Sequence, residues 1–400
     1  MRRCTVFVIS FISAIATGTA AADATAFVNV NVLPMSAERV LAQQTVIVRD
    51  GTIRTIGDVD VIPVPEDARV VDGTDRFLIP GLAEMHAHVP PAGSTELERD
   101  LALYVANGVT TVRGMLGHAS HLQLREDLLE GRITGPRLIT SGPSLNGRSV
   151  SGAADGARQV REQHAAGYDF VKIHPGLDDE EFAAIARTAN ELGIPFAGHV
   201  PVSVGLGNAL QAGMASIDHL DGYMAALMPP NYDASGGYGG FFDVLLAGDV
   251  DMDRIASLAE ATAAAGTWTV PTETLVEQLI NEVPVGELRN RTEMQYMSAA
   301  TVDRWVEAKQ RQLRERGFSE EVATRAIAIR RSLIHALHEA GAGILLGSDA
   351  PQIFNVPGFS LHRELELMVA AGLTPFEALE AGTINVSSFL GLRTGTIKTG

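Results

Sequence analysis

The sequence predicts an α/β fold in which eight parallel strands close into a barrel, with a small β domain beside it. Two observations predict the barrel. From about residue 76 to 390, short apolar segments recur, most of them followed by helical sequence, and there are eight. Parallel strands joined by helices bury both faces of their sheet, and eight of them close on themselves. The residues able to hold a metal also stand at the C-terminal ends of these segments, the face where barrel sites lie. A third observation predicts the smaller domain: residues 23–75 lack that rhythm and read as strands and turns.

In chain order, residues 1–22 have the pattern of a signal peptide. Arg2 and Arg3 supply positive charge, residues 5–16 an apolar stretch too short for a stable membrane anchor, and Ala20-Ala21-Ala22 small residues for cleavage. A periplasmic or secreted location is expected; a buried N-terminal strand is the alternative. Cys4, the one cysteine, precedes the apolar stretch, whereas a lipid-attachment cysteine would follow it. The processed chain would then have neither disulfides nor thiolate ligands, so any metal must be held by His, carboxylate or a modified group.

Within residues 23–75, Val28-Asn29-Val30-Asn31-Val32 alternates and Thr45-Val46-Ile47-Val48 runs apolar. Asp50-Gly51 before Ile53-Arg54-Thr55-Ile56 is a hairpin signal. The barrel strands follow at 77–85, 110–113, 137–140, 170–174, 195–199, 216–219, 268–271 and 344–349. Two regions interrupt the alternation. Residues 228–242, rich in Gly and aromatics, read as a surface loop or a substrate lid. Residues 282–340, charged and helix-prone, read as a helical insertion that walls the pocket or forms the contact of a homo-oligomer, or as surface helices only. Residues 391–400 resemble the start of a strand returning to the small sheet, and the natural chain is expected to continue and complete it.

The formal charge is −17, and becomes −19 without Arg2 and Arg3. A polyanionic surface repels phosphate backbones, which argues against nucleic acid as a partner. With 46% hydrophobic residues, the chain can bury a large core.

Chemistry concentrates at the strand ends. His86 and His88 are separated by one residue, so on a strand both imidazoles point the same way and can grip one ion. His199 and His219 end the fifth and sixth strands, and Asp349 follows the eighth. These nitrogen and oxygen donors suit zinc, manganese, cobalt or iron.

Ile79-Pro80-Gly81-Leu82-Ala83-Glu84-Met85-His86-Ala87-His88 resembles the opening motif of the amidohydrolase superfamily, and Gly347-Ser348-Asp349-Ala350 its closing strand. Residues 360–367, with His362 and Glu364, through Thr383-Ile384-Asn385 are similar to the branch that holds imidazolonepropionase and the metal-dependent prolidases and dipeptidases. The resemblance implies a distorted (β/α)8 TIM barrel, a small β-sandwich built from both chain ends, and hydrolysis at a metal centre. It also separates readings of Lys172. A buried lysine loses affinity for its proton, and the neutral amine can react with CO2 to give a carbamate; an ion-paired structural lysine is the alternative. The resemblance to the superfamily's dipeptidases implies a carboxylated Lys172 bridging two divalent ions, zinc foremost, with His86, His88 and Asp349 on one and His199 and His219 on the other. Asp349 would take the proton of the attacking water and deliver it to the leaving nitrogen.

In similar prolidases a tyrosine after the sixth strand helps bind the substrate; here Tyr223 stands there, an oxyanion stabiliser or a packed loop residue. His118 follows the second strand and is a candidate substrate contact. Prolidase relatives often carry a His in the loop after the third strand, where this chain has Arg148, whose forked donors suit a substrate carboxylate. His174 would orient Lys172 or pack, and His362 and Glu364 would support the structure. The expected function is a binuclear amidohydrolase that cleaves dipeptides or N-acyl amino acids, toxin amides included. The alternatives are a mononuclear cyclic-amide hydrolase or deaminase, and a non-catalytic metal- or peptide-binding module.

Overall fold

A computed structural model describes residues 24–230 and 241–400. The expected signal peptide and most of the 228–242 loop lie outside the described residues. Among the described residues, no helix is long and apolar enough to cross a membrane.

The chain divides into two compact units, one ending at Ile79 and joined by Ile397–Gly400, the other spanning Pro80–Thr396. The first unit holds β1 (Ala24–Val32), β2 (Leu41–Arg49), β3 (Thr52–Asp58), β4 (Arg69–Asp72) and β5 (Phe77–Leu78). They form one mixed sheet in the order β3-β2-β1-β4, with β5 also on β1. The β2–β3 hairpin turns on Asp50 and Gly51, both at positive φ (53° and 70°), as a tight turn between right-twisted strands requires. Val30, Val32 and Val46 make its core, and Ile397 packs against them. The expected first barrel strand, 77–85, is therefore divided. Residues 77–78 pair with β1, Pro80-Gly81 breaks the run, and pairing in the second unit begins at Leu82.

The second unit is α/β with parallel sheets. One runs β6 (Leu82–Ala87), β7 (Val109–Gly114), β8 (Arg137–Thr140); the other β9 (Val171–Ile173), β10 (Phe196–Gly198), β11 (Ser216–Asp218), β12 (Trp268–Val270). Single parallel bridges join Ser141 to Phe170, Thr269 to Ile344 and Ala350 to Ala87. Residues 344–349 form no regular strand. Glu84 takes the Ser348 amide (2.8 Å), and Asp349 turns to φ 60°, so the ladder breaks where the sequence predicts it to continue. Helices follow the strands, for example Asp179–Leu192 after β9, which starts with a reciprocal Asp178–Glu181 capping box.

Much of 282–340 is integral rather than superficial. The helix Glu320–Glu339 buries Ala326, Ile329, Leu333, Ile334 and Leu337 in the main core. From the same face, buried Arg330 donates to Glu273 Oε1 (2.7 Å) and to the carbonyls of His219 (2.8 Å) and Pro271 (3.1 Å). Arg330→Met strands the Glu273 carboxylate in the interior. We expect a loss of about 3–5 kcal/mol, read as a lowered urea midpoint.

Candidate metal centre

Alternation along β6 sets the first part of the site. Glu84, His86 and His88 share one side of the strand. Glu84, wholly buried, accepts from the amides of His86 (3.0 Å) and Ser348 (2.8 Å), which ties the end of β6 to the 344–349 segment. Gly347 permits the close approach: a Cβ there would stand 2.5 Å from Val270 Cγ1 and 2.9 Å from the His86 nitrogen.

His86, His219 and Asp349, all buried, bring one ligand atom each within 4.8 Å of one another. His86 Nε2 lies 3.7 Å from Asp349 Oδ1, and His219 Nδ1 3.7 Å from Asp349 Oδ2. His88 Nε2 is 3.3 Å from Asp349 Oδ1. The His199 ring stands 4.8 Å from that of His219, and its Nδ1 is held by Asp221 at 3.0 Å. His219 Nδ1 also faces Thr272 Oγ1 at 2.7 Å. His219 and Asp349 both sit at left-handed φ, 63° and 60°. Such residues cost about 1–3 kcal/mol each and persist where their surroundings fix them. Here the His219 carbonyl is pinned by Arg330, and the Asp349 amide by the His86 carbonyl (2.9 Å).

Lys172 joins this cluster through Asp218. Its Nζ donates to Asp218 Oδ2 (3.2 Å), the oxygen that also lies 3.2 Å from His86 Nδ1, though without hydrogen-bond alignment. Arg113, from β7, donates to Asp218 Oδ1 (3.1 Å), Ser216 Oγ (3.0 Å) and the Met85 carbonyl (2.7 Å). Asp218, Arg113, Asp221 and Thr272 are site residues that the sequence reading did not single out by role. Gln352, which donates to Asp349 Oδ1 (2.6 Å), is another.

The electrostatics favour cation binding. Burial holds His86 down to about 4 and pushes His88 and His219 below the ordinary histidine value, so these rings are neutral at pH 7 with lone pairs to give. Burial works against Asp349, but its surroundings, the His86 and His88 rings together with the Gln352 hydrogen bond and Lys172, hold its carboxyl below the ordinary aspartate value. Neutral imidazoles, an ionised carboxylate and a His86 Nδ1 without a hydrogen bond are a donor set that fits a divalent transition ion.

The other candidates differ in their surroundings. Tyr223 is wholly buried in the main core with its hydroxyl on Thr262 Oγ1 (3.0 Å), the packing that the second of its two readings expects. Between His219 and Tyr223 the backbone passes through left-handed φ at Leu220 (52°) and Gly222 (77°). Tyr223→Phe should leave kcat unchanged and cost about 1 kcal/mol of stability, checked by parallel turnover and urea melts. His118 is exposed, its Nδ1 engaged by Ser120 Oγ (2.8 Å) within its own turn. Arg148 is exposed on the loop after β8, its amide on Asn146 Oδ1 (2.9 Å). His174 stacks on His199 at 4.9 Å. Glu364 accepts the amides of Glu273 (2.9 Å) and Thr274 (2.7 Å), and His362 meets the Asn107 carbonyl (3.0 Å).

The amidohydrolase family model matches residues 77–400. A bottromycin amidohydrolase structure is similar at TM-score 0.67 and 24% identity, over 92% of this chain and 78% of that one. A putative prolidase from Bifidobacterium longum is similar at TM-score 0.66 and 23% identity, over 95% and 87%. A Xaa-Pro dipeptidase with bound methionine is similar at TM-score 0.65 and 17% identity, over 94% and 92%. The comparison with curated proteins gave no match.

Proposed function

Because the chain belongs to the amidohydrolase family, hydrolases acting on carbon–nitrogen bonds, we propose that it is a binuclear metal-dependent amidohydrolase. Its substrates on this reading are dipeptides or N-acyl amino acids, toxin amides included. The observation that carries the reading is the meeting of His86, His219 and Asp349, with His88, His199 and Lys172 around them. We read the parallel strands and their linking bridges as a distorted (β/α)8 barrel, and the five-stranded sheet as one layer of a β-sandwich. A periplasmic or secreted location belongs to the same proposal.

His86, His88 and Asp349 would hold one ion, His199 and His219 the other, both zinc, with Lys172 carboxylated by CO2 between them. Bound divalent ions supply a water acidic enough to attack at neutral pH and polarise the scissile carbonyl. The protein's own part is to orient and to move a proton. Asp221 and Thr272 fix the rings of His199 and His219, and Gln352 fixes Asp349. Asp349, ionised and central, takes a proton on a carboxylate oxygen and returns it to the leaving nitrogen.

The test loads the protein with zinc, counts ions by mass spectrometry and offers a panel of dipeptides and N-acyl amino acids. Two ions with hydrolysis of panel members is the expected result. One ion with turnover of cyclic amides or amines would favour the mononuclear reading, which the Lys172–Asp218 pair supports, since the carboxylate favours the protonated amine against the effect of burial. Two ions with no turnover of any amide would sink the enzymatic assignment.

A further inference from the structure

Phe242 lies against the metal centre, and nothing in the proposed chemistry uses it. Its ring stacks on His219 at 4.6 Å and 21°, and on His199 at 6.0 Å and 16°. Stacking lies on the faces of the imidazoles and does not compete for their in-plane nitrogens, of which each Nδ1 is already held by Asp221 or Thr272. Phe241 packs against it at 4.1 Å. Phe242 is half-buried.

The backbone holds this ring in place at a cost. Phe242 and Asp243 are consecutive non-glycine residues at φ 50° and 58°. Two such residues in succession persist only where the surroundings impose them. The anchor is the rest of the 3-10 segment Phe241–Gly248, whose Val244 and Ala247 are fully buried. Arg325 Nε donates to the Ala247 carbonyl (2.6 Å), which ties the segment to the helix Glu320–Glu339. A strained aromatic, fixed from below and aimed at two candidate ligand rings, is placed to contact a bound molecule.

We propose that Phe242 is a specificity-determining residue: it is the aromatic wall against which an apolar side chain of the amide substrate packs next to the scissile bond. The inference rests on the amidohydrolase reading of the site. A polar or absent side chain at that position would leave the ring edge wet and gain nothing from it. An aromatic or large aliphatic one would remove apolar surface on both partners and add the preference of aromatic rings for each other.

The experiment compares the zinc-loaded wild type with Phe242→Ala, Phe242→Leu and Phe242→Trp in two arms. One measures kcat/KM for N-acetyl-L-phenylalanine against N-acetylglycine. The other measures binding of free L-phenylalanine and glycine by calorimetry, which needs no turnover. In both arms the wild type should favour the phenylalanine compound by about tenfold or more. Phe242→Ala should bring the ratio near one mainly through KM, Phe242→Leu should lower it partway, and Phe242→Trp should keep it. Zinc content should be the same in all four proteins. A wild type without preference in either arm, or a Phe242→Ala protein that keeps the full ratio, overturns the proposal. Selective binding without turnover of either compound would count against the amide-hydrolase reading and support the wall. If Phe242→Ala fails to fold, Phe242→Leu with an unchanged ratio overturns it equally.

Discussion

Asp349→Asn should lower kcat by about 10³–10⁴-fold with little change in KM. The substitution preserves shape, and an amide can still accept from Gln352 Nε2. It removes two things at once. The first is basicity: an amide nitrogen or oxygen takes up no proton near neutral pH, so the attacking water loses its acceptor and the leaving nitrogen its donor. The second is charge. Asp349 faces His86 and His88 across 3.7 and 3.3 Å, and it opposes His219 at 3.7 Å. Metal content separates the two losses. A variant that keeps its zinc and loses turnover places Asp349 chiefly as a proton carrier. One that loses an ion places it chiefly as a ligand. A variant with near-normal kcat would refute its role in the reaction altogether.

What the sequence makes legible here is whatever follows from a short-range rule. The two-residue period of a strand puts His86 and His88 on one side, and the strand ends collect His199, His219 and Asp349. Contacts set by topology were not legible. Asp218 reads as the neighbour of a ligand, yet its partners Arg113 and Lys172 lie 105 and 46 residues away in sequence. Arg330, which pins the His219 carbonyl, sits in a stretch whose charge suggests solvent. Tyr223 shows how little sequence proximity decides. Four residues from His219 is close in sequence, but the intervening left-handed turn redirects the ring to Thr262. Phe242 falls in the aromatic-rich 228–242 segment read as a loop or lid, but its place over the histidines depends on backbone angles that residue type disfavours, so no propensity announces that place.

Lys172→Met should reduce bound zinc from two ions to one and lower kcat by about 10³-fold, the loss of several kcal/mol of charge stabilisation at the reacting carbonyl. The side chain is wholly buried on β9, and burial depresses its proton affinity, while Asp218 and Asp349 pull the other way. The decisive question is whether Asp218 needs the lysine. Arg113 already donates to its other oxygen and is itself fixed by Ser216 and Met85, so Asp218 keeps a cationic partner when the amine is consumed. The network can thus release Lys172 to CO2 without stranding a buried carboxylate, which would otherwise cost several kcal/mol. Carbon-13 bicarbonate should therefore give a carbamate resonance in the zinc-loaded wild type that is absent from Lys172→Met. If the variant retains both ions and full turnover, or the wild type shows no carbamate signal, Lys172 is the structural partner of Asp218 and the binuclear bridge is wrong.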